Sequence, residues 1–256
     1  MRLTIFASGS TGNCALVSHG DTHLLLDAGL SARRITAALS GCGLTPGDLS
    51  GCLITHTHAD HIAGLATLTK RYSLPLYATP PAGRQLAYRL PVDHLLHPLE
   101  LSDSHAIGAI TVRPIPTSHD APGSAGYRLT APDGRSACLV TDLGEITPEV
   151  EEGIRGVDAA MIECNHDPDC LQNGPYPYYL KARIAGPQGH LSNADGARLC
   201  ALCAESGAHT VVLAHLSREN NSPALARAAV AQALEGLQPV RLEVAPVLCD
   251  GLLVEV

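Results

Sequence analysis

The sequence predicts a mixed α/β fold, and three observations support this prediction. Short apolar stretches typical of β-strands alternate with stretches of helical periodicity along all 256 residues. Hydrophobic residues make up 45% of the chain and charged residues 16%, as in ordinary globular proteins. Histidines and carboxylates recur where the strand patterns end, which is where sheet proteins gather functional side chains. The length fits one large domain or two smaller halves that share a core.

The strand patterns are short and aliphatic, because the chain has no Trp, one Phe and seven Tyr. Residues 126–130 and 137–141 are separated by the turn sequence Pro132-Asp133-Gly134, which predicts a β-hairpin. The predicted strands are residues 3–6, 14–18, 23–26, 53–54, 75–78, 110–115, 126–130, 137–141, 159–163, 210–214, 240–244 and 252–256.

Start and stop residues delimit the predicted helices. Ser31 and Thr147-Pro148 are typical of helix N-termini, and Ser192 with Asp195 resembles a capping arrangement. Glycines end several of the helical stretches. The predicted helices are residues 31–40, 62–71, 81–90, a short helix from 147, a short helix after 179, residues 194–205 and residues 222–236, whereas residues 91–108 are predicted to be irregular.

The densest polar cluster is Thr55-His56-Thr57-His58-Ala59-Asp60-His61, which follows a short apolar strand. Imidazole and carboxylate groups together suit Zn²⁺, Mn²⁺ or Fe²⁺, while Mg²⁺ and Ca²⁺ prefer oxygen ligands. His56 and His58 alternate in an extended segment, so they project to the same side and can bind one ion. Asp60 and His61 lie at the following helix N-terminus and can face a second ion.

Three later residues complete a candidate ligand set, because His119, Asp142 and His215 also follow predicted strands. Seven ligands are too many for one tetrahedral site and suit two metals bridged by a carboxylate and a hydroxide. Asp142 is the predicted bridging residue, since a carboxylate can bind through both oxygens. The predicted cofactors are therefore two divalent metal ions, Zn or Mn, with Fe as a further option. Asp27 is predicted to orient a metal-ligating histidine.

Composition also bears on partners and location. The net charge of −8 argues against tight non-specific binding of long nucleic acid. Nine cysteines, Cys249 included, are scattered through apolar stretches, and Cys200-x-x-Cys203 has no second pair that would complete a zinc knuckle. His94, His97 and His105 are predicted to be surface residues. No secretory signal or membrane span is apparent, so we expect a cytoplasmic protein without membrane partners.

The pattern His56-x-His58-x-Asp60-His61, followed by His119, Thr141-Asp142-x-Gly144 and His215, resembles that of the metallo-β-lactamase-fold hydrolases. The resemblance covers essentially the whole chain. It implies a single domain over residues 1–256 with an αββα sandwich, in which two packed β-sheets lie between outer helices. It also implies a dimetal site at one edge of the sheets.

Finer motifs resemble those of one branch, the YycJ/WalJ-type subfamily. That resemblance implies 5′-to-3′ exonuclease activity on DNA, and the branch is similar to tRNA 3′-processing endonucleases and cyclic-phosphate phosphodiesterases. The motifs are residues 7–14, Glu163-x-Asn165-His166-Asp167, Leu180-Lys181-x-Arg183-Ile184, Gly189-His190-Leu191-Ser192-Asn193 and residues 215–221.

These features predict hydrolysis of a phosphodiester, with nucleic acid as the expected substrate. A metal-bridging hydroxide would attack the phosphorus, with Asp60 among the catalytic residues. The leaving oxygen needs a proton, and His190 is the first candidate for the general acid and His166 the second. Lys181 and Arg183 are either nucleic-acid contacts or solvated charges, and no stacking aromatic residues are recognised. The other residues predicted to support the site or contact the substrate are Ser10, Asn13, Asn165, Ser192 and Asn193.

Two alternatives stay open at this point. A thioesterase or lactonase like glyoxalase II would use the same dimetal motif, because the hydroxide also attacks acyl carbon. A non-enzymatic metal-binding module is the second alternative, and the complete ligand set argues against it. The Gly-His-Leu-Ser-Asn motif at residues 189–193 favours a phosphodiester substrate.

Overall fold

The first of two β-sheets contains both ends of the chain. A computed structural model describes residues 1–247 and 251–256, so Cys249 lies outside the described residues. The strands of this sheet are β1 (Arg2–Ala7), β2 (Cys14–His19), β3 (Thr22–Leu26), β4 (Gly51–Leu53), β5 (Leu76–Ala78), β6 (Leu96–Pro98) and β14 (Leu252–Glu255). Within the described residues their order is β14-β1-β2-β3-β4-β5-β6. β1, β2, β3 and β14 pair antiparallel, and β3 to β6 pair parallel.

The second sheet is formed by the later part of the chain. Its strands are β7 (His105–Ile107), β8 (Ile110–Pro116), β9 (Ala125–Thr130), β10 (Ser136–Val140), β11 (Ala159–Glu163), β12 (Thr210–Ala214) and β13 (Arg241–Val244). Their order in the described chain is β13-β12-β11-β10-β9-β8-β7. β9 and β10 pair antiparallel, which confirms the predicted hairpin. β10 to β13 pair parallel, so their C-terminal ends meet at one edge.

Helices cover the outer faces of both sheets. Ser31, Thr147 and Ser192 each accept a hydrogen bond from the third backbone N–H of a helix, as their sequence positions predicted. In the described part of the chain, no helix combines the length and apolar character needed to cross a membrane. The helices are α1 (Ala32–Gly41), α2 (Ala59–Ile62), α3 (Leu65–Arg71), α4 (Pro80–Arg89), α5 (Pro148–Ile154), α6 (Pro168–Asn173), α7 (Tyr178–Ile184), α8 (Asn193–Glu205) and α9 (Pro223–Ala233), with 3₁₀ turns at Pro46–Asp48 and Asp93–Leu95.

Three apolar cores hold these layers together. In β3, Leu24 and Leu26 face the core between the two sheets, whereas Leu25 faces the core under α1, α3 and α4. A third core lies between the second sheet and α5, α8 and α9. Burial on both faces explains why the central strands read as continuous apolar stretches. The predicted αββα sandwich is confirmed.

Two local predictions differ from the structure. The helix predicted over residues 62–71 is interrupted, and α2 and α3 are joined through Gly64, where a Cβ would collide with the Leu30 carbonyl oxygen. The segment 91–108, predicted to be irregular, contains β6 and β7. Both are three-residue edge strands with largely accessible side chains, so they lack the apolar alternation that marks a strand.

Candidate metal centre

Five predicted site residues and Glu163 meet at one edge of the two sheets, because each ends a strand or follows one within a few residues. They are Asp27, His56, His119, Asp142, Glu163 and His215. Asp27, Asp142 and His215 have φ values of 57°, 61° and 55°, and they are the non-glycine residues with positive φ in the described chain. Such backbone conformations cost free energy and cluster at functional sites. The strand ends thus turn these side chains sharply toward a common point.

The histidine-rich loop is held by backbone hydrogen bonds to the loop between β1 and β2 and to the turn after β3. The Asp60 carbonyl oxygen accepts from Asn13 N at 2.8 Å, and the His61 carbonyl oxygen accepts from Ala28 N at 2.8 Å. A Cβ on Gly29 would collide with the Asp60 carbonyl oxygen, so this close approach requires glycine. The loop therefore presents Asp60 and His61 from the first turn of α2, in a fixed position.

The predicted ligands form two groups with side-chain nitrogen or oxygen atoms close enough to share an ion. His56, His58 and His119 form the first group, with ring centroids 4.6–5.0 Å apart. Asp60, His61 and His215 form the second, in which Asp60 Oδ2 lies 3.5 Å from His61 Nε2 and 3.6 Å from His215 Nε2. His56 and His58 therefore share one group, Asp60 and His61 share the other, and a further group of His56, His61 and Asp142 joins the two.

Asp142 lies between the two groups. Its Oδ2 is 3.4 Å from His61 Nε2, and its Oδ1 is 3.9 Å from His119 Nε2 and 3.5 Å from His215 Nδ1. Burial opposes ionisation of this carboxyl, yet the positive charges of His215 and His61 lower its pKa well below the usual range. An ionised carboxylate in contact with both groups is the arrangement expected of a bridging ligand.

The donor atoms fit bound metal ions. His56 Nε2, Asp142 Oδ2 and His215 Nε2 are buried and have no hydrogen-bond partner within the described residues. Buried polar atoms without partners cost free energy, which coordination of a cation would remove. Although burial lowers the pKa of His61, the carboxylates of Asp142 and Asp27 raise it to about 9, so the field at the site favours positive charge. These residues therefore fit a pair of divalent metal ions.

Hydrogen bonds fix the orientation of four histidine rings through Nδ1. His61 Nδ1 lies 2.7 Å from Asp27 Oδ2, and His119 Nδ1 lies 3.0 Å from the Gly189 carbonyl oxygen. His215 Nδ1 lies 3.1 Å from Glu163 Oε1, and His56 Nδ1 lies 3.1 Å from Thr55 Oγ1. Because each contact uses Nδ1, Nε2 is the nitrogen of the same ring that could bind a metal. In His61 and His119 a metal would replace the contacts of Nε2 with Asn13 Nδ2 at 3.0 Å and with His58 Nδ1 at 3.3 Å. The contact of Asp27 with His61 is the one that an orienting residue would make.

A pocket with a volume of about 200 Å³ opens beside these groups. His119, His190 and His215 line it. Arg183 lines it as well, and its guanidinium forms an ion pair with Asp120 at 2.6 Å. The remaining lining residues are Ser10, Asp120, Asn165, Tyr176, Leu180, Ile184, Gln188, Gly189 and Ser217. The pocket thus combines histidines, hydroxyl groups and a cation around the candidate metal centre.

The two candidate general acids lie in different environments. His190 lines the pocket, and its Nδ1 lies 2.8 Å from Glu163 Oε1. Burial lowers the pKa of His190, but the Glu163 carboxylate outweighs this effect and raises it. His166 is buried outside the pocket lining, its Nδ1 has no hydrogen-bond partner in the described chain, and burial lowers its pKa. The geometry favours His190.

The other residues predicted to support the site fall into two sets. Ser10 and Asn165 line the pocket, and Asn13 Nδ2 donates to Asp60 Oδ2 at 3.2 Å. Ser192 instead caps α8 by accepting from Asp195 N at 3.1 Å, and Asn193 is buried against Asn221. The structure therefore gives Ser192 and Asn193 structural contacts outside the pocket lining.

Sequence reasoning did not select three residues that the structure brings to the site. Glu163 is the last residue of a predicted strand and was not assigned a role, although its place in the motif with Asn165 and His166 was an available signal. Asp120 Oδ1 lies 3.4 Å from His58 Nε2, and Thr55 Oγ1 contacts Asp27 Oδ2 at 2.9 Å. Their neighbours His119 and His56 were the available signal for these two.

Known proteins are similar to this chain over most of its length. The sequence profile described as "Beta-lactamase superfamily domain" matches residues 22–216. The protein named Exodeoxyribonuclease YycJ from Bacillus anthracis is 37% identical over 238 residues, covering 92% of this chain and 89% of that protein. The protein named Exodeoxyribonuclease WalJ from Streptococcus pneumoniae serotype 2 is 37% identical over 229 residues, covering 88% of this chain and 85% of that protein.

A solved structure is similar to this chain in fold. The metallo-β-lactamase fold protein YhfI from Bacillus subtilis has a TM-score of 0.77 and 18% identity, with coverage of 100% of this chain and 99% of that chain. At this identity the likeness establishes the fold alone. The profile and the two sequence relatives extend it to the family. The chain belongs to the metallo-β-lactamase superfamily of hydrolases, within its YycJ/WalJ-type subfamily.

Proposed function

We propose that the protein hydrolyses phosphodiester bonds with two divalent metal ions and acts as a 5′-to-3′ exonuclease on DNA. The observation that carries this proposal is the His190–Glu163 pair, which lies in the pocket wall beside the candidate metal groups. A histidine held in this way can protonate the oxygen that leaves the phosphorus. The two relatives named exodeoxyribonucleases support DNA as the substrate.

The proposed ligands are divided between the two groups already described. His56, His58 and His119 would hold one ion, and Asp60, His61 and His215 the other, with Asp142 shared. When bound, two divalent ions lower the pKa of water and neutralise charge on phosphate oxygens. Zn²⁺ and Mn²⁺ both suit this ligand set, and Fe²⁺ is a further option.

His190 performs proton transfer from a fixed position. Because Glu163 holds Nδ1, Nε2 is the ring nitrogen left to face the substrate. The carboxylate also raises the pKa of His190 against the opposing effect of burial, so the ring retains a proton to donate. His190 thus acts on the leaving oxygen, and Glu163 acts by positioning His190.

Polar groups on the pocket wall would bind the phosphate. Ser10 and Ser217 supply hydroxyl donors, and Arg183 supplies a guanidinium that is paired with Asp120. Arg183 can shift between this carboxylate and a substrate phosphate, both of which bind two guanidinium N–H groups. The pocket therefore offers hydroxyl and guanidinium groups that could bind a phosphodiester.

A substrate panel tests the proposed function. Metal-free protein is reconstituted with Zn²⁺, Mn²⁺ or Fe²⁺ and given bis-p-nitrophenyl phosphate, 5′-phosphorylated DNA and RNA, and a thioester. We expect cleavage of the phosphodiester substrates, with nucleotides released from the 5′ end of DNA, and loss of this activity in Asp142→Asn. Thioester cleavage without phosphodiester cleavage would overturn the proposal and support the thioesterase alternative.

A further inference from the structure

Helix α4 contacts the histidine-rich loop at Thr57, the residue between His56 and His58. Because side chains alternate in an extended segment, Thr57 points away from the side to which the two histidines project. Thr57 is buried, and its hydroxyl donates to Gln85 Oε1. Arg89 Nη1 donates to the Thr57 carbonyl oxygen. Gln85 and Arg89 lie one turn apart on α4, so one face of this helix holds both the hydroxyl and the carbonyl group of Thr57.

His58 depends on its backbone more than the other candidate histidine ligands do. An Nδ1 contact with an oxygen atom orients the rings of His56, His61, His119 and His215. Within the described residues the His58 ring lacks such a contact, because its Nδ1 lies 3.3 Å from His119 Nε2. Its Nε2 lies 3.4 Å from Asp120 Oδ1, and the side chain is 32% exposed. The position of His58 therefore depends strongly on the preceding residue, Thr57, which α4 holds.

The second group is supported from a different part of the chain. Ser8 directly follows β1, and its Oγ accepts from His215 N at 2.9 Å. Ser8 Oγ also donates to Asn13 Oδ1 at 3.4 Å, and Asn13 Nδ2 donates to Asp60 Oδ2 at 3.2 Å. Ser8 and Asn13 are both buried. The loop between β1 and β2 thus links two ligands of the second group.

We propose that Gln85 and Arg89 are positioning residues for the first group, and that they control the affinity for one metal ion of the pair without controlling the affinity for the other. This inference rests on the assignment of one ion to each group under the proposed function. Both residues act through Thr57, whose two neighbours in the chain belong to the first group. Ligands that are held in place by surrounding residues bind an ion more tightly than ligands that move.

Metal titration tests this separation. Metal-free protein is titrated with Zn²⁺ in competition with a chromophoric chelator, which gives a dissociation constant for each of the two ions. We expect Gln85→Ala/Arg89→Ala to raise one constant by about tenfold or more and to leave the other unchanged. The matched control is Arg84→Ala/Tyr88→Ala, which has the same spacing on α4 and changes two exposed residues. This control should leave both constants unchanged.

A ligand variant identifies the ion that is affected. His58→Ala removes a ligand of the first group, so the ion that this variant retains is that of the second group. Adding Gln85→Ala/Arg89→Ala to His58→Ala should not lower the affinity for the retained ion. Adding Ser8→Ala should lower it, because Ser8 holds His215. A merely structural role for Gln85 and Arg89 would lower the affinity for the retained ion as well.

A double-substitution cycle tests the route through Thr57. Thr57→Val removes the hydroxyl and keeps the shape of the side chain, so it should raise the same dissociation constant as the α4 variant. Gln85→Ala should then add little, because both substitutions remove the same hydrogen bond. Independent losses would overturn this route.

Three outcomes of the titration would overturn the proposal. They are unchanged constants in Gln85→Ala/Arg89→Ala, equal losses of affinity for both ions, and an equal loss in Arg84→Ala/Tyr88→Ala. A wild type that binds a single ion would overturn the two-ion assignment and this proposal with it. Wild-type hydrolysis of bis-p-nitrophenyl phosphate tests the proposed phosphodiesterase activity separately, so the two failures are distinguishable.

Discussion

Glu163 Oε1 lies 2.8 Å from His190 Nδ1, and this contact joins the buried end of β11 to the pocket wall. The same oxygen lies 3.1 Å from Nδ1 of His215, a candidate metal ligand. Glu163 is fully buried, so its charge is compensated by these imidazoles rather than by water. One carboxylate therefore orients both the proposed general acid and a ligand of the metal centre.

Replacing Glu163 tests this dual role. We expect Glu163→Gln to lower the rate of DNA cleavage by about 10- to 100-fold, because the amide keeps the shape of the side chain but loses the charge. The measurement is single-turnover cleavage of 5′-phosphorylated DNA by protein of known metal content. If Glu163 acts through His190, the same substitution should have little further effect in His190→Ala. Independent losses from the two substitutions would contradict that mechanism.

The leaving group tests His190 as the general acid. His190→Ala should lower DNA cleavage by about 10²- to 10⁴-fold, since an alkoxide leaving group needs a proton. Hydrolysis of bis-p-nitrophenyl phosphate should fall much less, because p-nitrophenolate leaves readily without one. Rates are compared for the two substrates, with metal content measured in parallel. Equal losses on both substrates would remove the general-acid role.

His166→Ala is the comparison for that experiment. His166 lies outside the pocket lining, so we expect the variant to cleave DNA at a rate within about tenfold of the wild type. Loss of a general acid would lower the rate by about 100-fold or more. If His166→Ala selectively slowed DNA cleavage, the assignment of the two histidines would be reversed.

The contrast between His190 and His166 shows what the sequence alone could and could not predict. Close spacing in the motif predicted that His56, His58, Asp60 and His61 would gather, because local geometry carries most of that information. The αββα fold followed from a resemblance over the whole chain. The choice between His190 and His166 depends on which ring meets Glu163, a tertiary contact between distant parts of the chain. Short edge strands such as β6 had no recognisable apolar alternation for a similar reason, because pairing with a neighbouring strand defines them.

Asp142 should control the metal content of the protein. Asp142→Asn removes the charge that lies between the two ligand groups, so we expect the content to fall from about two ions per chain to about one or fewer. Inductively coupled plasma mass spectrometry after dialysis provides the measurement. His94→Ala, which changes an exposed histidine outside both groups, is the control and should retain the wild-type content. Retention of two ions by Asp142→Asn would contradict the bridging position.

Asp27 should affect metal affinity through His61. Its Oδ2 accepts from His61 Nδ1 at 2.7 Å, and an amide nitrogen at that position would remove the acceptor. Asp27→Asn should lower metal affinity by about 10- to 100-fold, measured by competition with a chromophoric chelator. Asn tolerates the positive φ of residue 27, which keeps the backbone effect small. An unchanged affinity would show that Asp27 does not orient the ligand.

A pair of glycine substitutions tests the backbone that supports the metal loop. A Cβ on Gly29 would collide with the Asp60 carbonyl oxygen, so Gly29→Ala must displace the loop that carries Asp60 and His61. We expect a loss of about 1–3 kcal/mol in the free energy of unfolding, measured by urea denaturation without metal. Metal affinity should fall as well, because both ligands move.

The matched control is Gly83→Ala within α4. The added Cβ would lie 4.0 Å from Leu96 Cδ2, so the methyl group fits without collision. Alanine in a helix interior should stabilise the fold by about 0.5–1 kcal/mol and leave metal affinity unchanged. Wild-type metal affinity in Gly29→Ala would show that the loop holds its ligands independently of the turn after β3. A parallel fall in both variants would instead indicate a general sensitivity to added volume.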